Sequence, residues 1–325
     1  MTAWLVRRVA ASIAIIFAVV TLTFLLLHLA PGTPFLPSGD RPLDPSVEAG
    51  LRARFGLDRP LGAQYARYLG ALARGDLGES FSQQRPVALA LGDAIPNTVV
   101  LAAAALAIEL LLGLAIGAVQ AAQARRRLDT LLTHGSLFVY SLPTFWLGLV
   151  LLLVFGQGLH WLPVGGVTDP VLHPSLSLAG RLLDRLRHLA MPALTLGLVG
   201  AAGTARFQRA ALLEALGQGF VKAARAKGLT ETRVLLGHAL RNALLPAITL
   251  MGLALPFLLT GSVVVETVFA WPGMGKLAAD AVLSRDYPVV TATTLAATAL
   301  VVAGSLLADV LYAVADPRVR RERPQ

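Results

Sequence analysis

The chain of 325 residues contains no cysteine. That absence excludes disulfides, thiolate metal sites and a cysteine nucleophile, and thiol usage says nothing about redox compartment. Charge is scarce as well: Asp, Glu, Lys and Arg make up 14% of the chain, against roughly 25% in soluble proteins. Aromatic residues are only 6%, so the apolar content is mostly Leu, Ala and Val. No His-Glu-x-x-His zinc motif and no Gly-x-Ser-x-Gly nucleophile elbow occurs. What the chain has in quantity is hydrophobicity, with 55% apolar residues and a mean hydropathy of +0.67. Such a composition excludes a disordered or collagen-like chain, argues against a water-soluble enzyme, and places the protein in a bilayer.

Crossing about 30 Å of hydrocarbon takes about 20 apolar residues in a helix. Six stretches approach that length with almost no charge: Val9–Ala30, Thr98–Val119, Leu132–Phe155, Leu189–Ala205, Leu244–Val265 and Pro288–Val314. The expected fold is therefore an all-α integral membrane protein with six transmembrane helices. The first stretch follows Arg7-Arg8 as a signal peptide would, but its apolar run exceeds a cleavable core, so it reads as an uncleaved anchor.

The net charge of +9 is compatible with nucleic acid or membrane, and its distribution decides between them. With the N-terminus inside, the cytoplasmic segments hold 16 Lys and Arg against 5 acids, and the outer segments 12 against 11. Both termini thus read as cytoplasmic by the positive-inside rule. The basic excess faces the anionic leaflet, and nucleic acid is not needed to explain it.

The outer loop 31–97 carries two helical patterns. Asp44-Pro45-Ser46 opens one that runs to about Phe55 and stops at Gly56. Tyr65, Tyr68, Leu69 and Leu72 give the second one apolar face, ending at Gly75. The loop is either a cap that meets a partner or a segment packed on the helix tops. The organisation is then residues 1–30 as N-terminus and first span, 31–97 as outer loop, and 98–325 as a five-helix core containing the cytoplasmic segment 206–243.

That cytoplasmic segment is the most informative part of the chain. Leu212, Leu213, Leu216 and Phe220 mark one apolar helix face that continues through Ala223 and Ala224 to Lys227. Gly228 fits the left-handed residue after a helix end, with Leu229 supplying the accompanying hydrophobic contact. Arg225 and Lys227 complement the negative end of the helix dipole, and Thr230 followed by Glu231 opens a second helix. Thirty-eight residues form more than a connector, since helix links in bundles usually take about 2–8. The segment reads as a rigid knob for a partner. A DNA-reading helix-turn-helix lacks globular support here.

Trp271–Lys276 ends in a Gly-Lys pair like a P-loop, but Ala270 and Leu277 replace the required Gly and Ser/Thr, so the chain has no nucleotide site of its own. The six histidines (28, 134, 160, 173, 188 and 238) are scattered and suit interfacial roles better than a metal. Glu109 lies mid-span, where a carboxylate either lines a pathway or hydrogen-bonds to a neighbouring helix. Gly113 and Gly117, with Gly197, Gly200 and Gly203, let helices approach closely. Pro143 and Pro256 interrupt two spans.

The residues Ala223-Ala224-Arg225-Ala226-Lys227-Gly228-Leu229, with Arg241–Pro246, resemble the coupling loop of binding-protein-dependent ABC importer permeases of the dipeptide/oligopeptide/nickel branch, first-permease type. Leu27–Gly32, Gly75–Gly78, Pro143–Gly148, Trp161–Pro163, Glu266 with Trp271–Gly273, Asp286–Pro288 and Asp316–Arg318 extend the resemblance over nearly the whole chain. Lys222 stands where the broader family has Glu, and Gly228 lies farther from Pro246 than in the general pattern; both look like variants of the peptide branch.

The resemblance implies a type I importer-like bundle in a bacterial or archaeal plasma membrane. It implies a second homologous permease, two cytoplasmic ATPases that bind ATP and Mg, and an extracytoplasmic solute-binding protein. The helix around Ala223–Leu229 would dock in a cleft of one ATPase, and this chain would hold no cofactor and perform no catalysis. A self-contained channel or proton-coupled transporter needs ionisable residues in several spans, and a membrane-embedded enzyme needs paired catalytic residues; the sequence offers neither.

Overall fold

The computed structural model describes residues 2–29, 44–244 and 263–315. Among these the regular structure is helical, with a single isolated bridge between Glu79 and Pro86. In chain order the helices are α1 (Thr2–Leu29), α2 (Pro45–Phe55), α3 (Leu61–Leu72), α4 (Val87–Ala122), α5 (Arg127–Ser141), α6 (Thr144–Leu151), α7 (Leu178–Gly217), α8 (Gly219–Ala226), α9 (Glu231–Val234), α10 (Val263–Val268), α11 (Met274–Leu283) and α12 (Tyr287–Ala315). Two compact units are distinguished: residues 1–98 with 272–302, and 99–271 with 303–325.

Among the described residues, four helices are long and apolar enough to cross a membrane: Arg7–Leu29, Val87–Ala122, Leu178–Gly217 and Tyr287–Leu307. The stretch expected as one span over Leu132–Phe155 is instead a bent pair. α5 and the continuous helix 144–158 meet at 101°, and the second ends in wider, π-type turns over Leu152–Gly158. Pro143 explains the break, because a proline ring pushes the preceding residue out of the helical region; Leu142 is extended, with ψ 135°. The fourth span is far longer than its apolar core of 17 residues suggested, since α7 runs for 40 residues. Arg181–Arg187 and Arg206–Glu214 continue the helix at either end of the apolar run, with Ser177 capping its start through Gly180. α4 likewise begins at Val87, ahead of the expected Thr98, and carries Pro96 inside it. Most of the expected fifth span, residues 245–262 with Pro256, lies outside the described residues, as do 30–43 and 316–325.

In the first unit the two helices expected within residues 31–97 form where the sequence placed them. Asp44 caps α2 by accepting from the Ser46 N–H at 2.8 Å, and Gly56 ends it in the left-handed region at φ 71°. α3 turns its Tyr65 and Tyr68 onto α1: the Tyr65 and Thr21 hydroxyls lie 2.6 Å apart, and Phe24 meets both tyrosine rings. Asp286, fully buried, accepts from Ser80 Oγ at 2.5 Å and from Ser82 Oγ and N at 2.7 and 2.9 Å, fastening the turn 80–86 to the start of α12. Val87, Leu91, Ala281, Val289, Val290 and Ala292 form the core beneath.

In the second unit α4 and α7 lie with their backbones nearly touching. A Cβ placed on Gly113 would fall 2.8 Å from Thr204, one on Gly117 2.7 Å from the Ala205 carbonyl oxygen, and one on Gly197 2.7 Å from Ile108. Gly113 and Gly117 of one series and Gly197 and Gly200 of the other thus line the two sides of one seam, whereas Gly203 faces Tyr140 of α5. Gly148 on α6 opposes Phe269, and Phe269, Met191 and Val265 form a neighbouring core.

Candidate coupling site

The segment after α7 folds as a short knob. α7 stops at Gly217 because Gln218 is extended at ψ 155°, and α8 restarts at Gly219. This corrects the expectation of one helix from Leu212 to Lys227: the apolar period crosses the break in sequence, but glycines on both sides of Gln218 weaken the helix there. Phe220, expected on the buried face, is 41% exposed; Val221 and Ala224 turn inward instead.

Val221 and Ala224 enter a cluster with Ala121 of α4, Leu212 and Ala215 of α7, Val234 of α9, and Ala239 and Ala243 beyond it. Leu213, Leu216, Leu229 and Leu235 close its edge. The knob is therefore packed on the ends of the same two helices that share the glycine seam. Of the predicted site residues, Ala223, Arg225, Ala226, Lys227 and Gly228 are exposed, Ala224 is buried, and Leu229 is half-buried.

The end of α8 is a double reverse bond. Gly228 N–H donates to the Arg225 carbonyl at 2.9 Å and Leu229 N–H to the Ala224 carbonyl at 3.4 Å, with Gly228 at φ 77°. That pattern satisfies carbonyls left open at a helix end and requires a left-handed residue, which glycine supplies without strain. Thr230 holds the cap position of α9, but its side chain makes no capping hydrogen bond. Arg225 does more than complement a helix dipole: its Nε and Nη2 donate to both oxygens of Glu231, at 2.8 and 3.0 Å. Glu231 is held below its ordinary pKa by the hydrogen bond from Arg225, and the guanidinium is raised by the same bond. The pair closes the loop between α8 and α9.

A second anchor, which sequence reasoning missed, ties α5 to α7. Asp129, near the start of α5, is 4% exposed and accepts from Arg209 Nε at 2.8 Å and Nη2 at 2.9 Å. The Arg125 N–H at 3.0 Å and Thr133 Oγ1 at 3.3 Å fill its remaining capacity. Eighty residues separate the pair, and no periodicity or motif links them.

Glu109 occupies the seam itself. Its Oε1 accepts from Thr204 Oγ1 at 2.9 Å, and its carboxylate lies against Gly200, where any side chain would collide with it. The hydrogen bond joins α4 to α7 within the apolar part of both.

Comparison with known proteins bears on this arrangement. Residues 109–321 match the model of the binding-protein-dependent transport system inner membrane component family, and residues 1–102 match that of the binding-protein-dependent transport system membrane component N-terminal region. The chain belongs to this permease family. Among curated relatives, it is 38% identical to the oligopeptide transport system permease protein AppB of Bacillus subtilis over 98% of this chain and 99% of that protein. It is 40% identical to the di/tripeptide transport system permease protein DppB of Pseudomonas aeruginosa, over 99% of this chain and all of that protein. The dipeptide transport system permease protein DppB of Escherichia coli K12 is 35% identical over the same shares. The permease is a subunit of an ABC importer and an integral membrane transport protein, as its relatives are transport permeases.

Proposed function

We propose that this permease is one of two similar subunits that together form the translocation pathway for peptides or a related small solute. In this reading the chain crosses the membrane six times with both termini in the cytoplasm. A solute-binding protein delivers substrate on the outer side, and two cytoplasmic ATPases bind ATP and Mg and supply energy. The peptide class is supported by the relatives, whose names specify oligopeptide, di/tripeptide and dipeptide transport.

The observation that carries the reading is the knob of residues 219–229. Its exposed surface is slim, built of Ala223, Ala226 and Gly228 with Phe220, Lys222 and Lys227 around them, which suits insertion into a cleft. Its buried surface is locked to the ends of α4 and α7 through Val221 and Ala224. Close-packed interiors transmit displacement instead of absorbing it, so movement of an ATPase against Ala223–Leu229 passes to both helices at once. Glu109 then serves as a tie across the seam.

Gly228→Pro tests the assignment. Proline fixes φ near −65° and removes the N–H that donates to Arg225, whereas the native residue sits at φ 77°. The variant is expected to insert and assemble but to lose substrate-stimulated ATP hydrolysis by the complex. Gly228→Ala, which strains the same position by about 1–2 kcal/mol, is expected to be intermediate. Normal coupled uptake in the proline variant would overturn the role given to this helix.

A further inference from the structure

The turn between α4 and α5 carries three consecutive arginines, Arg125, Arg126 and Arg127. With Thr130, Leu131 and His134 they line an open hollow of about 440 Å³. All three arginines are exposed, and among the described residues no carboxylate forms an ion pair with them. Arg126 Nη1 has a neutral partner, Gln123 Oε1, at 3.0 Å. Asp129, the one acid close in sequence, is buried and committed to Arg209. The turn is fixed: Arg125 is in the left-handed region at φ 66°, and its N–H donates to Asp129. Three guanidinium groups are thus held around one concavity without a counter-charge from the described residues.

An apolar stripe starts at the same place. Leu131 is 70% exposed and Phe138 63%, and Gly135 lies between them with open space where a side chain would project. Positions 131, 135 and 138 share one helix face and run along about 10 Å of α5. Charge and stripe together have the form of an amphiphile with a negative head.

We propose that this hollow is a binding site for an anionic phospholipid, with the headgroup phosphate among Arg125, Arg126 and Arg127 and an acyl chain along Leu131 and Phe138. Guanidinium groups chelate phosphate oxygens, and basic hollows beside membrane helices on the cytoplasmic side select anionic lipid. A free anion would use the arginines and leave the stripe idle. The site rests on the orientation proposed above, which puts the α4–α5 turn in the cytoplasm. Occupancy would brace the turn that carries Asp129, and through it the hold on Arg209.

The test uses the assembled transporter, reconstituted in phosphatidylcholine vesicles doped with phosphatidylglycerol and re-isolated for analysis of the lipid it retains. Wild type is expected to hold phosphatidylglycerol in excess of its bulk share. Arg125→Gln, Arg126→Gln and Arg127→Gln combined should weaken retention by about fivefold per arginine, about a hundredfold together. The corresponding triple lysine variant should keep most of it, and inorganic phosphate should not displace it. Leu131→Gln should weaken retention without touching a charge. Unchanged retention in the glutamine variant overturns the proposal. So does displacement by inorganic phosphate with no effect of Leu131→Gln, which would make the hollow a free-anion site. Loss of the ATPase subunits from the glutamine variant at unchanged lipid content would make it a protein contact, and overturns the proposal equally. Orientation is read separately: Thr130→Cys introduces the sole thiol of the chain, and an impermeant maleimide should reach it in inverted vesicles and not in intact cells. Labelling from outside would refute the orientation and leave lipid retention as its own result.

Discussion

Replacing Asp129 by alanine removes the acceptor of four hydrogen bonds, two of them from one guanidinium. Breaking a buried ion pair by deleting one partner costs about 3–5 kcal/mol, because the other charge is left without compensation. Arg209 retains 32% side-chain exposure and partly rehydrates, which lowers the expected loss to about 2–3 kcal/mol. Asp129→Asn should be no milder, since its amide turns N–H groups toward donors that need an acceptor. The assay is thermal denaturation of the purified complex, run on Asp129→Ala, Arg209→Met and the double variant. Their coupling energy should be about 2 kcal/mol. In transport assays the same variants should lower uptake more than they lower basal ATP hydrolysis, because the clamp holds α5 to the helix that leads into the knob. A stability change within about 0.5 kcal/mol of wild type, or a coupling energy near zero, would refute the reasoning.

Other consequences are smaller in scale and equally direct. Gly117→Ala forces a Cβ to 2.7 Å from the Ala205 carbonyl oxygen, an overpacking worth about 1–3 kcal/mol; Gly135→Ala, with nothing within 4 Å, should be neutral or stabilising in the same melting assay. Asp286→Ala leaves Ser80 and Ser82 without their shared acceptor and should loosen the turn by about 1–3 kcal/mol, seen as faster amide exchange at Ser82 and Gln83. The Arg225 to Glu231 bond depresses the carboxylate pKa, so its contribution is present at neutral pH and fades as pH falls through the carboxylate range. The protection factors of the α8 amides, taken relative to their intrinsic exchange rates at each pH, should therefore fall on acidification, and Glu231→Gln should abolish that dependence.

What could be read in the sequence was local. Gly228 and Gly56 were legible because glycine takes the left-handed conformation at a helix end without strain, and both are found there at φ 77° and 71°. The glycine series at 113, 117, 197 and 200 announced close helix contact, and the structure pairs them across one seam. The break at Gln218 was hidden because Leu212, Leu213, Leu216 and Phe220 keep helical spacing across it; only the tertiary demand to bury Val221 and Ala224 rotates α8 away from that register. Pro143 signalled an interruption, but the 101° bend also reflects Gly148 settling against Phe269 and Thr195. Asp129 and Arg209 were invisible as a pair, since nothing in a linear pattern says which of several loop charges will meet.

One property of α7 bears on how small a motion transport needs. Ala193 packs with Leu101 and Trp271, and Leu212 packs with α8, all on one continuous helix. Nineteen residues separate them, about 29 Å of helix, close to the thickness of the hydrocarbon layer. A rod of that length pivoted at one end moves the other by about 5 Å for a tilt of about 10°, roughly one helical turn. The stretch of α7 from 193 to 212 is then the arm over which a modest rotation would become a displacement of side-chain size. Lengthening or softening α7 between residues 193 and 212 would change that gearing without altering any residue at either end.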